Sequence, residues 1–395
     1  MKIGIDIRSL MDKQYSGVSI YTLNLLQEIF RQDQINQYKL FYNSYHDVSE
    51  RIPKFDYPNV EIIHTKYPNK FLNYILFKIF KRPKIDKILG GVDVFFMPHF
   101  NFISLSKKCK KIITVHDLSF IHFPHFFNTR QNFWHSKINV KKLLRKFDKI
   151  ITVSENTKID VQNICSIPEK NIQAIYSGID KNLKVFNKDD SDFNQVRQKY
   201  NLPERFIFYL GNLEPRKNIE GLIESYTLYR NNEIGDFITP EARELASKGK
   251  MSLVIAGAQS WKYSGIYDTA KQSKYSEDIY FIDYVDNKDK VYLYNLASLF
   301  MFPSFYEGFG FPPLEAMACG TPVIASNTSS LPEIIGSAGI LVNPYDINEI
   351  SGAMSQVLNN KDLQDHLIEK GLKKVKNYNW QKCAQEVIES FGDMV

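Results

Sequence analysis

The chain has 395 residues, 44% of them hydrophobic, with 50 Lys and Arg against 44 Asp and Glu. That length predicts two or three domains of ordinary size, each able to bury a core, and no run approaches the ~18–20 uninterrupted apolar residues of a transmembrane helix. Charge is split unevenly: residues 1–190 carry 30 basic against 18 acidic side chains, and residues 191–395 carry 20 against 26, so the halves are expected to meet different partners.

Met1–Arg8 carries Asp6 inside its apolar run, which reads as a strand rather than a secretory signal. A Gly-containing loop, Ser16-Gly17-Val18, then leads into Ser19–Phe30, where Ile20, Leu23, Leu26, Ile29 and Phe30 recur at helical spacing. One glycine stands where a dinucleotide fingerprint has three, so a Rossmann cofactor site is not expected. Short strands are predicted at 40–42, 60–64 and 94–97. Asn69–Leu89 reads as a helix rich in Phe, Ile and Lys. Two readings fit it: an interfacial helix drawn to anionic lipid, or a helix packed on a sheet with a basic outer face. Ile112–Val115 is a buried strand ending in His116, the place where open α/β sheets bind ligands. His122 and His125 follow, but no further ligands complete a zinc site, so these two are read as structural and no metal is expected. Gln131–Phe147 reads as one basic helix, and Ser154 caps the next.

Lys181–Glu204 is polar and charged. It contains Asp190-Ser-Asp192, read as a solvated turn. The strand–turn–helix alternation then restarts at Phe206–Leu210. Arg216 and Lys217 sit together at a helix start after Gly211, a fork and a point charge suited to a diphosphate. After a strand at Leu299–Phe302 come Gly308 and Gly310, then Pro312 and Pro313 in the first turn of a short helix that Gly320 stops. Such a turn aims backbone N–H groups at an anion. Glu307 and Glu315 would repel a phosphate there, so sugar hydroxyls are their natural partners. A surface loop whose acids merely flank a helix start is the alternative. The four cysteines, Cys109, Cys165, Cys319 and Cys383, form no C-x-x-C pair and read as reduced buried thiols of a cytosolic protein.

Three stretches resemble one family: His116-Asp-Leu-Ser-Phe-Ile-His-Phe-Pro124, Gly211-Asn-Leu-Glu-Pro-Arg-Lys-Asn218, and the Glu-x7-Glu run from Glu307 to Glu315 with Gly320-Thr-Pro-Val-Ile-Ala-Ser326 after it. They resemble the retaining GT-B glycosyltransferases of family 4 (group 1), mannosyltransferases among them. The resemblance implies an α/β fold of two Rossmann-like doubly wound domains facing a central cleft. It places an acceptor-binding domain at 1–185, a linker at 186–204, a nucleotide-sugar domain at 205–375, and a C-terminal helix at 376–395 crossing back to the first domain.

The implied enzyme is a metal-independent hexosyltransferase without a cofactor. It would move a sugar, mannose from GDP-mannose by the H-D-L-S-F segment, to a saccharide acceptor, lipid-linked, in cell-surface polysaccharide synthesis. Arg216, Lys217 and the N–H groups of Gly308, Phe309, Gly310 and Phe311 would take the charge of the diphosphate. Glu307 would orient the donor sugar, and Glu315 the ribose. Val285 and Asn212 would lie against the nucleotide, and the Gly17 loop against donor phosphate or acceptor. His116 would stabilise the cationic ring through its carbonyl or contact a sugar hydroxyl. The donor phosphate is the expected proton acceptor, so no protein base is assigned. The protein would be cytoplasmic, and peripheral on the inner membrane face if residues 69–89 touch lipid. Rival readings are a glycosidase-like Glu pair, a sugar-nucleotide epimerase on the same fold, and a non-catalytic nucleotide binder. A nucleic-acid partner is not expected, because no recognition module is present.

Overall fold

The computed structural model describes residues 1–13, 15–186, 191–234, 250–261 and 263–394, and the chain divides into two compact units. The first comprises Met1–His122, Thr129–Gly178 and Tyr378–Val395; the second comprises Phe123–Asn128 and Ile179–Asn377.

The first unit is built on seven parallel strands: β1 (Lys2–Asp6), β2 (Gln37–Asn43), β3 (Val60–Thr65), β4 (Val94–Met97), β5 (Lys110–Val115), β6 (Lys149–Thr152) and β7 (Ile172–Ala174). Their order is β3-β2-β1-β4-β5-β6-β7. The sheet therefore grows one way from β1, then restarts on its other side with β4, and a crevice opens at the carboxyl ends where the order reverses. Near-continuous apolar runs such as Val94–Met97 form these strands because helices cover both faces. The Trp380–Gly392 helix, capped by Asn379, also belongs to this unit and packs on the Gly17–Gln32 helix, burying Trp380, Val387 and Phe391.

Among the described residues the second unit holds six parallel strands: β8 (Phe206–Leu210), β9 (Ser252–Ala256), β10 (Ile279–Ile282), β11 (Leu299–Phe302), β12 (Val323–Ser326) and β13 (Ile340–Val342). Their order is β10-β9-β8-β11-β12-β13, so the reversal lies between β8 and β11. Close packing beside it is made by glycine. Gly257 has φ +148°, and a Cβ there would lie 1.9 Å from the Gly211 carbonyl oxygen. Both units are parallel α/β sheets of the doubly wound type, as the GT-B resemblance implies.

Three elements differ from the sequence reading. Asn69–Leu89 is not one helix but a ten-residue π-helix, Phe71–Phe80, then a short turn of helix at Ile85–Ile88. Lys81 breaks it in a left-handed conformation (φ 53°), and Pro83 cannot continue it. Gln131–Phe147 is split into Thr129–Ile138 and Val140–Leu144 by Asn139, also left-handed. The polar stretch before β8 carries a helix, Ser191–Lys199, in which Asp192 accepts from the Tyr292 hydroxyl at 2.9 Å; Asp190 lies outside the described residues. All four cysteines are free and buried, and burial pushes the Cys165 thiol up to about 11.

Candidate active site

In the second unit, the chain leaves β8 and β11 on either side of the reversal, and the charged residues of both turns meet there. The turn after β8 is held by a bridge of Leu213 to Gln259 and tightened by a single 3-10 turn, Pro215–Lys217. Asn218 ends it in a left-handed conformation and donates its amide to the Pro344 carbonyl at 2.7 Å. This presents Arg216 and Lys217 side by side. The Phe305 N–H donates to the Arg216 carbonyl at 2.9 Å, which ties this turn to the one after β11.

Glu307 is the meeting point. Lys217 Nζ lies 2.5 Å from its Oε1, and Arg216 Nη1 lies 3.1 Å from its Oε2. Arg216 also donates to the Tyr306 carbonyl at 2.7 Å and, through Nε and Nη2, to Glu214 Oε1 at 3.1 and 2.8 Å. The side chains of Glu214, Glu307, Lys217 and Arg216 are 4, 9, 11 and 15% exposed. They are therefore a desolvated network, not a solvated pair beside an acid. Burial pushes the Glu307 carboxyl up, but the Arg216 and Lys217 charges outweigh it and hold the group below the usual carboxylate range. Glu307 bonds both cations, since two buried positive charges need a partner.

The Glu307 turn is pinned from behind by a hydroxyl-rich segment that sequence reasoning passed over. Ser326 and Thr328 donate to the carbonyls of Ser304 (2.5 Å) and Phe305 (3.0 Å). Ser329 accepts from the Glu307 N–H at 2.9 Å, and the single Ser330 hydroxyl proton is shared between the carbonyls of Glu307 and Phe309, both at 3.0 Å. The signal was present as four Ser and Thr residues among positions 326–330. Gly310, at φ +105°, directs the chain into the Phe311–Ala318 helix, and a Cβ there would lie 2.7 Å from Leu331 Cδ2. Because Pro312 and Pro313 carry no N–H, that first turn presents fewer donors than the strand–turn–helix pattern alone implies.

Glu315 lies inside the same helix and accepts from the Tyr294 hydroxyl at 2.8 Å, a second partner the sequence did not reveal. Val285 is buried, so its side chain is core and only its backbone is offered; Asn212 is exposed. Phe309 is buried and packs edge-on against Phe311, ring centres 5.0 Å apart.

In the first unit, His116 follows β5 directly. Its Nε2 lies 2.8 Å from the Pro98 carbonyl, which can only accept, so Nε2 carries the proton. Burial lowers its pKa, which keeps the ring neutral and makes Nδ1 an acceptor. The Tyr21 ring meets it edge-on, and its carbonyl takes the Thr157 hydroxyl at 3.4 Å. His122 pairs with Asp160 at 3.1 Å. Gly17 opens its helix from an exposed position, and a Cβ there would meet nothing within 4 Å. Nearby sequence reasoning missed Arg8, buried and forked onto Asp6, which also reaches Asn73 (3.3 Å) and the Phe102 carbonyl (2.9 Å). Among the described residues no group of three or more His, Cys, Asp or Glu is placed to hold a metal ion, and no helix is long and apolar enough to cross a membrane.

Residues 15–183 match the model of Glycosyltransferase Family 4, and residues 190–374 match Glycosyl transferases group 1. The O-antigen chain mannosyltransferase B of Escherichia coli is 25% identical over 95% of this chain and 96% of its own. The serotype-specific mannosyltransferase WbdA of the same organism is 30% identical over 71% of this chain, which spans a third (33%) of its length. A sucrose-phosphate synthase from Thermosynechococcus elongatus shares the fold over 100% of this chain and 98% of its own, with a TM-score of 0.73 at 20% identity. The two matches together span nearly the whole chain, which belongs to the GT-B glycosyltransferases built from a family 4 domain and a group 1 domain.

Proposed function

We propose that this chain transfers a mannosyl residue from GDP-mannose, with retention of anomeric configuration and without a metal, to a saccharide acceptor of a cell-surface polysaccharide. The observation that carries it is the junction of Arg216 and Lys217 with Glu307 beside the Gly308–Phe311 turn. The mannosyltransferase names of the related proteins support the choice of sugar.

In this reading the second unit binds the donor. The bond from the anomeric carbon to the β-phosphate oxygen breaks, and its electron pair stays on the diphosphate. Arg216, Lys217 and the N–H groups of Gly308–Phe311 oppose that charge. Glu307, held at low pKa and so ionised, accepts hydroxyls of the mannosyl ring. Glu315, already oriented by Tyr294, takes the ribose hydroxyls; the turns at Asn212 and Val285 flank the rest of the nucleotide. The acceptor oxygen bonds the anomeric carbon, and its proton passes to the departing phosphate. The first unit supplies the acceptor side: neutral His116 offers Nδ1 to a sugar hydroxyl, and Gly17 allows close backbone approach.

The lipid-linked acceptor and the membrane contact form one further part of the proposal. Phe71, Ile79 and Phe80 are 47, 63 and 66% exposed on a segment with lysines at 70, 78, 81, 84 and 87. Such a face suits an anionic bilayer surface.

Thermal stabilisation by GDP, UDP and ADP, each with and without EDTA, tests the donor reading. A shift with GDP alone, unchanged by EDTA, is expected. A shift with another nucleotide removes GDP-mannose, an EDTA-sensitive shift removes the metal-free clamp, and no shift removes the donor site.

A further inference from the structure

Behind the Arg216 junction the second unit has a cleft of about 270 Å³, lined among others by Glu214, Glu220, Glu224, Phe305 and Tyr345. It lies just under the ~300–1,000 Å³ of small-molecule sites, a size for one small ring rather than a nucleotide. Tyr345 is 65% exposed, and its ring stacks at 4.8 Å on Phe305, which in turn stacks at 5.6 Å on Phe126. The exposed ring is thus braced from beneath and offers a flat apolar face at little entropic cost. Its hydroxyl has no partner among the described residues.

The carboxylates of Glu220 and Glu224 are exposed and likewise have no partner among the described residues. They stand one turn apart on the Ile219–Ile234 helix, a like-charge i,i+4 arrangement that disfavours the helix. The helix N-terminus compensates Glu220 in its first turn but not Glu224 in the next. With Glu214 already held by Arg216, the two unpaired carboxylates repel phosphates, nucleotides and anionic lipid. What they favour is a ligand with many hydroxyl donors, each carboxylate accepting two, laid against an aromatic face.

We propose that this cleft is a saccharide subsite that holds one neutral sugar residue of the acceptor chain. It rests on the mannosyl-transfer reading for the identity of that sugar and for its place in the acceptor chain. Glu214 joins the two places: its Oε1 accepts from Arg216, whose Nη1 donates to Glu307 and Tyr306. A hydroxyl that engages Glu214 therefore bears on the guanidinium assigned to the diphosphate, so occupancy of the cleft is linked to donor binding.

The test uses the full chain. Binding of an α-linked mannotriose, of maltotriose and of a lysine heptapeptide is measured by ligand-observed NMR for wild type, Tyr345→Ala and Glu224→Gln, with the GDP thermal shift in parallel. Mannotriose binding that is weakened about tenfold by Tyr345→Ala, with the GDP shift unchanged, is the expected result. Trisaccharide affinity equal in all three proteins overturns the proposal. So does peptide binding weakened by both variants when neither trisaccharide binds, which would make the cleft a cationic-peptide site. Absence of any GDP shift would sink the donor reading alone, since the Tyr345→Ala effect on either trisaccharide still decides this one.

Discussion

Arg216 makes four hydrogen bonds to three acceptor atoms and shares Glu307 with Lys217, so each charge in this network is set by the others. Replacing Glu307 by Gln removes the charge but keeps the shape. Turnover is expected to fall about 10²-fold, whereas GDP affinity holds or rises because both cations lose a competing anion; the split between kcat and GDP affinity checks this. The same change costs about 3 kcal/mol of stability at neutral pH, read by urea unfolding. The sign with pH follows from the lowered carboxyl pKa. The stabilisation is complete above the ordinary carboxylate value of ~4.3 and is lost as pH falls through the lower folded-state value. The stability gap between wild type and Glu307→Gln therefore narrows in acid and not in base. Gly17 is the contrasting residue. Nothing crowds its missing Cβ, so Gly17→Ala leaves the melting temperature unchanged; if its backbone faces a ligand, transfer drops by tenfold or more while the fold is intact.

At the scale of elements, the Glu307 turn depends on a neighbouring segment for its shape. Ser330→Ala removes the hydroxyl proton that two buried carbonyls share, an expected loss of about 1–3 kcal/mol. It also loosens the carboxylate, so KM for the donor rises; unchanged stability and KM would mean the turn holds itself. Much of this element was legible from sequence: Gly308, Gly310, Pro312, Pro313 and Gly320 mark a turn and a short helix by local chemistry alone. Where Glu307 points was not, because Arg216 and Lys217 are some 90 positions away and only the strand reversal brings them near. The strands were legible because unbroken β-branched and aromatic runs fit few other places. The Asn69–Leu89 stretch failed for the opposite reason. With apolar residues on every side, no face fixes a 3.6-residue period, and the i→i+5 turns and the left-handed Lys81 are set by what packs around them.

Across the whole molecule the basic side chains concentrate in residues 1–190, and the exposed aromatic residues of the π-helix lie in that half. If this face meets lipid, binding to vesicles containing anionic lipid falls steeply between 50 and 500 mM salt, as the Debye length shrinks to a few ångströms. Phe80→Ser then weakens binding at every salt concentration, since it removes insertion and leaves attraction. Binding that ignores both changes would leave Phe71, Ile79 and Phe80 without this role.

The segment from Tyr378 onward belongs to the unit that begins at Met1, with the whole second unit made in between. On a ribosome the seven-stranded sheet would emerge long before the helix that covers the Tyr21 side of Gly17–Gln32. Trp380 and Val387 reach their places only after residues 179–377 have been synthesised. At the ~5–20 residues per second of translation, the nascent first unit waits about 10–40 s with an apolar face uncovered. That interval is an opening for a holding chaperone, and it makes the order of synthesis part of how this chain stays soluble.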